Sequence, residues 1–449
     1  MPSFDEIDFF TDESLIPDPY PYFEFLRSRC PVYREQHHGV VAVTGYNEAV
    51  EVYRDHQTFS SCNAVMGPFP GIPFQPEGDD ISAQIEQHRS QMPMNEHLVT
   101  FDPPQHTAHR ELLKRLLTPR RLKENETFMW RLADRQIDEF LAQGRVELLS
   151  EYAKPFALLV IADLLGVPEE DRHTFRVRLG AQRPGAMDAD QAMAGNALEF
   201  LEERFSTYIE ERRQAPRDDV LTALASATFP DGSAPEVIDV VRLATFLFAA
   251  GQETTARLLA SALKYLAEHP EAQDLLRARH ELIPDMIEET LRAESPVKAD
   301  FRLTRRATTL GGVDVAAGTP VMLLNGAANR DPRRFECPAD FRIDRDNVRQ
   351  HIAFGRGVHS CPGGPLARVE ARISLERILD RTRDIRLSAE HHGPPGARRF
   401  RYEPTWILRG LTELHLEFTP AEGMGRSKRA AEQAAAAALL TREGVEAAG

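Results

Sequence analysis

The spacing of apolar and polar residues predicts a chain built mainly from helices. Between about residues 105 and 300, apolar side chains recur every three to four positions. The clearest such stretches are 131–141, 198–212 and 237–266. Residues 22–28 also resemble a helix, while 40–44, 301–325 and 405–418 have the composition or alternation typical of strands. We therefore expect an α+β fold, mainly α with small β-sheets.

Two segments lack this periodicity. Residues 62–98 are rich in Gly, Pro, Met and polar side chains, and a loop this long in a compact domain is usually a lid or a binding loop. Residues 421–449 are rich in Ala and charged side chains, which predicts a disordered or loosely helical tail. We expect a single domain over residues 1–420.

Composition excludes several classes of partner and cofactor. A net charge of −15 over 449 residues makes nucleic acid a poor partner. Nothing resembles a signal peptide or a membrane anchor, so we expect a cytoplasmic protein. The cysteines have no short paired spacing, which argues against zinc ribbons, iron–sulfur clusters and a disulfide framework. They are Cys30, Cys62, Cys337 and Cys361.

One glycine-punctuated run carries the strongest chemical signal. Residues 354–363 read Phe-Gly-Arg-Gly-Val-His-Ser-Cys-Pro-Gly. Gly355 and Gly357 allow a tight turn and the close approach of a flat ligand. Cys361 follows, just before a helical pattern whose first N–H groups favour a thiolate, as an axial haem ligand requires. Taken alone, Cys361 would more often be a buried structural cysteine.

This run resembles the haem-binding loop of the cytochrome P450 family. It matches the pattern F-G-x-G-x-H-x-C-x-G at every fixed position, and residues 366–368 extend the match. The resemblance implies a P450 fold with haem b between a long central helix and the loop, Cys361 being the iron ligand. It further implies haem contacts from Phe354, Gly355, His359 and Gly363.

A second motif interrupts the apolar helix predicted at 237–266. It reads Ala-Gly-Gln-Glu-Thr-Thr, ending at residue 255, and resembles the family's A-G-x-[DE]-T-T motif. The resemblance implies that Gly251 leaves room for dioxygen, that Thr254 bonds the outer oxygen, and that Glu253 relays protons. The alternative is a helix that surfaces at Gln252, with its glycine as a packing contact.

Glu289 and Arg292 lie three residues apart and share one helix face. Such pairs are common on solvated helices, but this one resembles the invariant ion pair of the P450 family, which implies a structural role. The family's third partner comes from a P-x-R-F segment, which here carries Asp340 instead of arginine. Arg342 and Arg345 both remain candidates for that place.

Two haem propionates need cationic or hydrogen-bond-donating partners. His106 and Arg110 have i, i+4 spacing and resemble the family's H-x-x-x-R pair. Arg302 matches the family's other propionate arginine, and His359 is a further donor. Each of these side chains could instead be an ordinary surface charge.

The resemblance also implies where a substrate lies. The pocket would be enclosed by the central helix, residues 62–98, the segment after Pro296 and the last strand pair. Its apolar character suits a lipophilic compound, although each wall residue could equally belong to the core. The candidate walls are Phe69, Phe74, Phe246, Ala250, Val297, Ala299 and Ile407. Lys298 and Asp300 could recognise a polar group or point to solvent.

Electrons would come from a separate protein, since the sequence has no flavin or nicotinamide fingerprint. Several cations are expected near the cysteine face and could bind an acidic ferredoxin or flavodoxin served by an NAD(P)H reductase. They are Arg110, Lys114, Arg115, Arg120, Arg121, Arg368 and Arg372. The alternative is a set of solvated charges and haem contacts.

These observations favour a haem-thiolate monooxygenase that uses dioxygen to oxidise a terpenoid, steroid, aromatic or fatty compound. A non-catalytic haem-thiolate sensor or recruitment protein would keep Cys361 but would not need Glu253 and Thr254. A haem-free helical protein with coincidental motifs is the third possibility.

Overall fold

The computed structural model describes residues 4–114, 117–180 and 195–421. Apart from Ala421, the tail predicted at 421–449 lies outside these ranges. The α-helices are α1 (Tyr20–Arg29), α2 (Tyr46–Arg54), α3 (Ser82–His88), α4 (Gln105–Lys114), α5 (Pro119–Leu141), α6 (Lys154–Leu164), α7 (Glu169–Gly180), α8 (Gly195–Gln214), α9 (Val220–Ala225), α10 (Val237–Glu268), α11 (Pro270–Ala278), α12 (Ile283–Glu294), α13 (Asn325–Ala328), α14 (Gly364–Arg381) and α15 (Ala389–His392).

The strands are β1 (Val32–Arg34), β2 (Val41–Val43), β3 (Phe59–Ser60), β4 (Arg145–Glu147), β5 (Asp300–Thr304), β6 (Thr308–Leu310), β7 (Val313–Val315), β8 (Pro320–Leu323), β9 (Thr382–Leu387) and β10 (His415–Pro420). They form a five-stranded sheet of order β1-β2-β8-β5-β3, a three-stranded sheet of order β4-β10-β9, and the pair β6-β7. Strands β2 and β8 are parallel, and the other neighbours are antiparallel.

Helix α10 is the central element of the fold. Its 32 residues span about 48 Å at 1.5 Å per residue. A reciprocal capping box between Glu236 and Asp239 satisfies N–H groups at its start. It packs against α6, α8, α12 and α14. One large apolar core surrounds it, so the middle of α10 is held from several sides.

A second, largely aromatic core lies beside the five-stranded sheet. Phe10 contacts Phe69, Phe301 and Trp406 with ring centroids 5.4, 6.3 and 5.5 Å away. This aromatic core joins the N-terminal segment to the sheet and to the hairpin 402–411, in which Tyr402 and Leu411 are bridge partners. The N-terminal segment is therefore part of the folded body.

The predicted α+β class is confirmed, and the three most periodic stretches lie within α5, α8 and α10. The prediction for residues 62–98 missed α3, because only Ile81 and Ile85 are buried there and two positions establish no period. In the stretch 405–418, regular strand begins only at β10. Within the described ranges, no helix combines the length and apolar character needed to cross a bilayer.

Candidate active site

The loop that carries Cys361 turns tightly against the end of α2. Gly355 and Gly357 have φ angles of 64° and 69°, a left-handed conformation that favours glycine. A Cβ atom on Gly357 would lie 2.2 Å from the carbonyl oxygen of Tyr53, so a larger residue does not fit. The Cys361 N–H donates to the Phe354 carbonyl over 2.8 Å. These contacts fix the point at which the cysteine side chain leaves the loop.

The surroundings of Cys361 act on its charge in opposite directions. Cys361 is exposed to a cavity, but the surrounding protein desolvates its thiol, and this burial raises the thiol pKa. The N–H groups of Gly363 and Gly364 at the start of α14, together with the Arg110 cation, lower that pKa. Burial has the larger effect, so the net pKa lies above its ordinary value. The helix start therefore does not by itself produce the predicted thiolate, and a bound metal cation would supply the additional positive charge.

Cys361 lines a cavity between α10 and the start of α14. The cavity volume is about 240 Å³. The lining residues from α10 are Leu243, Phe246, Leu247, Ala250, Gly251, Thr254 and Thr255. The lining residues from the cysteine loop and α14 are Phe354, His359, Cys361, Pro362, Gly363, Leu366, Ala367 and Glu370. The remaining walls are Leu98, Val99, His106, Arg110, Leu113 and Ile161.

Two histidines and an arginine meet at one edge of this cavity. The ring centroids of His106 and His359 are 4.0 Å apart, and Arg110 donates to the Ser360 carbonyl. Burial and the Arg110 and Arg302 cations lower the pKa of His106 to about 4. Burial, with Arg302 and His106, lowers the pKa of His359 to about 2. Both imidazoles are therefore neutral at pH 7.

Arg302 lies behind this edge and does not line the cavity itself. Its guanidinium is buried, pairs with Asp300 over 3.1 Å and lies 5.3 Å from the centre of the Tyr53 ring. Its charge nevertheless acts on both His106 and His359. The structure thus brings the four predicted propionate partners into one neighbourhood, although Arg302 already has a carboxylate partner.

The acid and alcohol of α10 have different surroundings. Gly251 and Thr254 line the cavity, and the Thr254 hydroxyl donates to the Ala250 carbonyl over 3.1 Å. Glu253 does not line the cavity. Its carboxylate lies 3.8 Å from Lys154 Nζ and 3.3 Å from Arg257 Nη1.

The buried ion pair has a third member. Arg292 donates to both oxygens of Glu289 over 2.7 Å. Glu289, Arg292 and the third member, Arg345, are all buried. Arg345 Nε lies 3.2 Å from each Glu289 oxygen, whereas Arg342 contributes only its backbone N–H, at 2.8 Å. Asp340, where the family pattern has arginine, contributes only its carbonyl, to which Arg292 donates.

Comparison with known proteins agrees with this geometry. A family profile described as cytochrome P450 matches residues 175–383. Cytochrome P450 144 of Mycobacterium tuberculosis is 37% identical over 380 residues, covering 83% of this chain and 85% of the relative. The chain belongs to the cytochrome P450 family.

Solved P450 structures are similar over almost the whole chain. Substrate-free CYP150A6 from Mycobacterium marinum is 64% identical, with a TM-score of 0.89 and coverage of 93% of this chain and 100% of that one. CYP109E1 from Bacillus megaterium, solved in complex with corticosterone, is 30% identical, with a TM-score of 0.74 and coverage of 89% and 98%. This P450 is therefore a haem-thiolate oxidoreductase, and the cofactors of its family are haem b and dioxygen.

The residues around the cavity of this P450 fit haem b. Both ring nitrogens of His106 are buried without a hydrogen-bond partner in the described structure. Such a group is costly unless a ligand satisfies it, and a propionate oxygen has the required acceptor chemistry. Arg110 adds a cation at the same edge, the broad walls are apolar, and Cys361 offers sulfur to the iron.

The structure separates the predicted substrate walls of this P450 into two groups. Phe246 and Ala250 line the cavity. The other five pack elsewhere, because they contact neighbouring protein elements instead of the space above the cysteine. Phe69, Ala299 and Ile407 belong to the aromatic core, Phe74 stacks on His88, and Val297 bridges Leu408.

The two polar residues suggested for substrate recognition also lie away from the cavity. Burial lowers the pKa of Lys298 to about 7, and the residue is almost fully enclosed. Asp300 accepts a hydrogen bond from Arg302. Neither side chain lines the cavity of this P450.

Sequence reasoning missed two groups of residues in this P450. Glu370 is buried and lines the cavity; burial raises its pKa well above the ordinary value, an increase that the nearby Thr255 hydroxyl reduces, and its Oε2 has no hydrogen-bond partner among the described residues. Glu288 binds His351 over 3.0 Å and also Arg368. The i, i+4 spacing of Leu366 and Glu370 could have placed that acid on the cavity face of α14.

The cations expected near the cysteine face are mostly paired with carboxylates. Lys114, Arg120, Arg368 and Arg372 form ion pairs with Glu111, Glu124, Glu288 and Glu126, respectively. Arg115 lies outside the described residues. The positive field of this P450 on that face is therefore weaker than the sequence count of cations indicates.

Proposed function

We propose that this protein is a monooxygenase that inserts one oxygen atom of dioxygen into a small uncharged lipophilic molecule. The reaction is hydroxylation or epoxidation, and the second oxygen atom leaves as water with two electrons and two protons. The observation that carries this proposal is that Cys361, on the loop before α14, and Thr254, on α10, line the same cavity. A thiolate ligand and a hydroxyl donor on facing walls are what oxygen activation needs.

The haem, when bound, supplies the dioxygen binding and the oxidising chemistry. The chain's own residues do the rest. Cys361 ligates the iron, and His106, Arg110 and His359 hold the propionate edge. The Thr254 hydroxyl, which bonds the Ala250 carbonyl, directs a proton into the cavity. Glu253, next to it and near solvent-facing Lys154, takes up replacement protons.

The substrate class follows from the α10 wall. The α10 wall of the cavity is mostly apolar, with Leu243, Phe246, Leu247 and Ala250. The polar side chains that α10 contributes to the cavity are Thr254 and Thr255. A charged substrate group on this side would lose its hydration without gaining a counterion. An uncharged terpenoid, steroid or aromatic compound therefore fits better than a carboxylate. The corticosterone bound by the similar CYP109E1 is itself an uncharged lipophilic molecule.

Matched ligands test this substrate class. Binding is followed by the Soret shift of the haem-loaded protein with dodecanol and dodecanoate, and with uncharged terpenoids and steroids beside their carboxylated analogues. We expect the uncharged partner of each pair to bind at least about tenfold more tightly, a difference of about 1.4 kcal/mol. Equal or tighter binding of the carboxylates would overturn the substrate class without bearing on the monooxygenase reaction.

The oxygen-activating role of Thr254 has its own experiment. Thr254→Ala is expected to keep ligand binding and the Soret spectrum but to divert most NADPH-derived electrons to hydrogen peroxide. Thr254→Ser, which keeps the hydroxyl, is the matched control and is expected to restore most of the coupling. Product yield per NADPH that is equal in Thr254→Ala and wild type would refute the role. A protein that forms no product with any ligand that shifts its spectrum would favour the sensor alternative.

Electrons are proposed to come from a ferredoxin or flavodoxin and its NAD(P)H reductase. Arg120 and Lys114 remain substantially exposed despite their acidic neighbours, which supports a docking role for this face. Docking through these charges predicts that turnover with an acidic ferredoxin falls as ionic strength rises. Charge reversal at Lys114 and Arg120 is expected to raise the KM for ferredoxin and leave ligand binding unchanged. An unaltered KM would place the docking site elsewhere.

A further inference from the structure

Arg257 is a buried cation next to the proposed proton-relay acid. It lies on α10, one turn after Glu253, and is 1% exposed. Its Nη1 is 3.3 Å from a Glu253 oxygen, and its Nη2 pairs with Glu403 of the hairpin 402–411. One guanidinium therefore lies between two carboxylates, of which only Glu253 is adjacent to the oxygen-activating threonine.

The two contacts of Arg257 are of different kinds. Its contact with Glu403 is a hydrogen bond. Its contact with Glu253 is an ion pair without a hydrogen bond, because Arg257 Nη1 and Glu253 Oε2 both lack a hydrogen-bond partner despite their short separation. Lys154 is also close to Glu253 without bonding it. The Glu253 carboxylate is thus attracted by two cations but held by no directional bond in the described structure.

The hairpin fixes Arg257 in this position. A Cβ atom on Gly410 would lie 2.4–2.7 Å from Cγ, Cδ and Nε of Arg257, so the arginine stem fills the space that a side chain would need. Gly410 does not have a left-handed φ, and the restriction is therefore one of space. The Glu403 N–H donates to the Gly410 carbonyl over 3.0 Å. Glu403 binds the guanidinium, and Gly410 leaves space for the arginine stem. These two residues are thus paired across the hairpin.

We propose that Arg257 is a positioning residue that Glu403 keeps from binding Glu253 fully, so that Glu253 stays free to turn and transfer protons. This inference rests on the relay role proposed for Glu253. A carboxylate bonded bidentately to a buried arginine would have to break two charge-assisted hydrogen bonds each time it rotated. With Glu403 occupying the guanidinium, Glu253 can take a proton from solvent, pass it toward Thr254 and return without that barrier.

Two variants distinguish this positioning role of Arg257 from a purely structural role. Glu403→Gln replaces the charged partner of the guanidinium by a weaker neutral acceptor, so that Arg257 can turn to the Glu253 carboxylate one turn away, and proton supply should slow. Combining Glu403→Gln with Arg257→Met removes the cation that would bind Glu253, and the rate should recover. A purely structural role for the pair predicts the reverse, because the double variant then loses more native contacts than the single one.

The rates are measured as NADPH oxidation by the haem-loaded protein without added substrate, using spinach ferredoxin and its reductase. Glu403→Gln is expected to be about tenfold slower with a larger solvent isotope effect, the rate equivalent of about one charge-assisted hydrogen bond. The double variant is expected to return to at least about half of the wild-type rate. Glu268→Gln is the matched control, since Glu268 is on the same helix but pairs with Lys264.

Glu253→Gln tests the relay role of Glu253 separately from the positioning role of Arg257. If this variant leaves the rate and the solvent isotope effect unchanged, the relay role itself is refuted. If it slows turnover while Glu403→Gln does not, or if the double variant does not recover, the relay stands and the role of Arg257 is overturned. A crystal structure of the Glu403→Gln variant gives a readout without turnover: we expect Arg257 in a bidentate contact with Glu253, and an unmoved guanidinium would contradict the proposal.

Discussion

Replacing Arg345 by methionine tests which arginine completes the buried ion network. Arg345 contacts both oxygens of Glu289 at 3.2 Å and donates to the carbonyls of Glu336 and Asp340 over 2.6 and 2.9 Å. Methionine keeps much of the side-chain volume but removes every one of these donors. Arg292 then remains as the single cation beside a carboxylate that is fully buried.

The expected loss of unfolding free energy follows from the buried hydrogen bonds that Arg345 makes. Arg292 still pairs with Glu289, but losing a charge-assisted hydrogen bond costs about 1.5–3 kcal/mol and leaving a buried carbonyl without a donor costs about 1–3 kcal/mol, so we expect removal of the Arg345 donors to cost about 3–5 kcal/mol in total. With about 2.1 cal/mol/K of unfolding entropy per residue, 449 residues give about 0.9 kcal/mol per kelvin. We therefore expect the melting temperature of Arg345→Met to fall by about 3–5 °C.

The assay is thermal unfolding of the haem-loaded protein, followed by circular dichroism and by loss of the thiolate-type Soret band of the carbon monoxide complex. Both signals should shift together, because Asn329, whose carbonyl accepts from Arg292, also binds the N–H of Ile352 just before the cysteine loop. Damage to the ion network is thus expected to reach the Cys361 ligand.

Arg342→Met is the matched control. The Arg342 side chain is 42% exposed and, among the described residues, forms an ion pair with Asp344 alone, at 3.6 Å; its backbone N–H contacts Glu289 in either variant. An exposed pair of this kind contributes about 0–1 kcal/mol, so the melting temperature should change by about 1 °C or less. Equal effects of the two substitutions, or a larger effect of Arg342→Met, would refute the assignment of Arg345.

Three further predictions concern the haem site and its surroundings. Cys361→Ser should retain the fold but lose the thiolate-type Soret band of the carbon monoxide complex; a retained band would mean that another residue ligates the iron. His106→Phe should raise the rate of haem transfer to apomyoglobin by about 10–100-fold, the equivalent of one hydrogen bond to a charged group, and an unchanged rate would remove His106 from the propionate site. Burial alone would raise the pKa of Glu288, but bonds from His351 and Arg368 outweigh it and lower that pKa to about 2. The ionised Glu288 carboxylate therefore stabilises the fold above its ordinary pKa of 4.5, and this contribution is lost as pH falls toward 2. In urea unfolding, Glu288→Gln should reduce the pH dependence of the free energy of unfolding below pH 4.5. An unaltered pH dependence would contradict the pairing.

The sequence predicted the helical architecture and the residues that meet at the cavity, because both depend on short-range patterns. Cys361 and its glycines are close together in the chain, and the motif around Thr254 lies within two helical turns. The acid Glu370 also had such a signal, since it follows Leu366 by four residues on α14.

The remaining features depend on tertiary packing between distant or irregular segments. Phe69 and Ile407 are apolar residues in plausible positions, yet the N-terminal aromatic residues cover them instead of a ligand. Arg342 and Arg345 could not be distinguished, because the irregular segment that carries them has no period from which to infer a direction. Likewise, no local pattern connects Glu403 with Arg257 across 146 positions.

The two halves of the haem site are made at very different times during synthesis. Arg110 reaches the carbonyl of Ser360, 250 positions later in the chain. At about 5–20 residues per second, a ribosome needs roughly 10–50 s to bridge that interval. A nascent chain therefore exposes its histidine edge long before the iron ligand exists, and contacts of such long range form late in folding. Haem therefore cannot be held by both halves of its site until Cys361 has been synthesised, and cells that lack haem should accumulate an open, protease-sensitive chain.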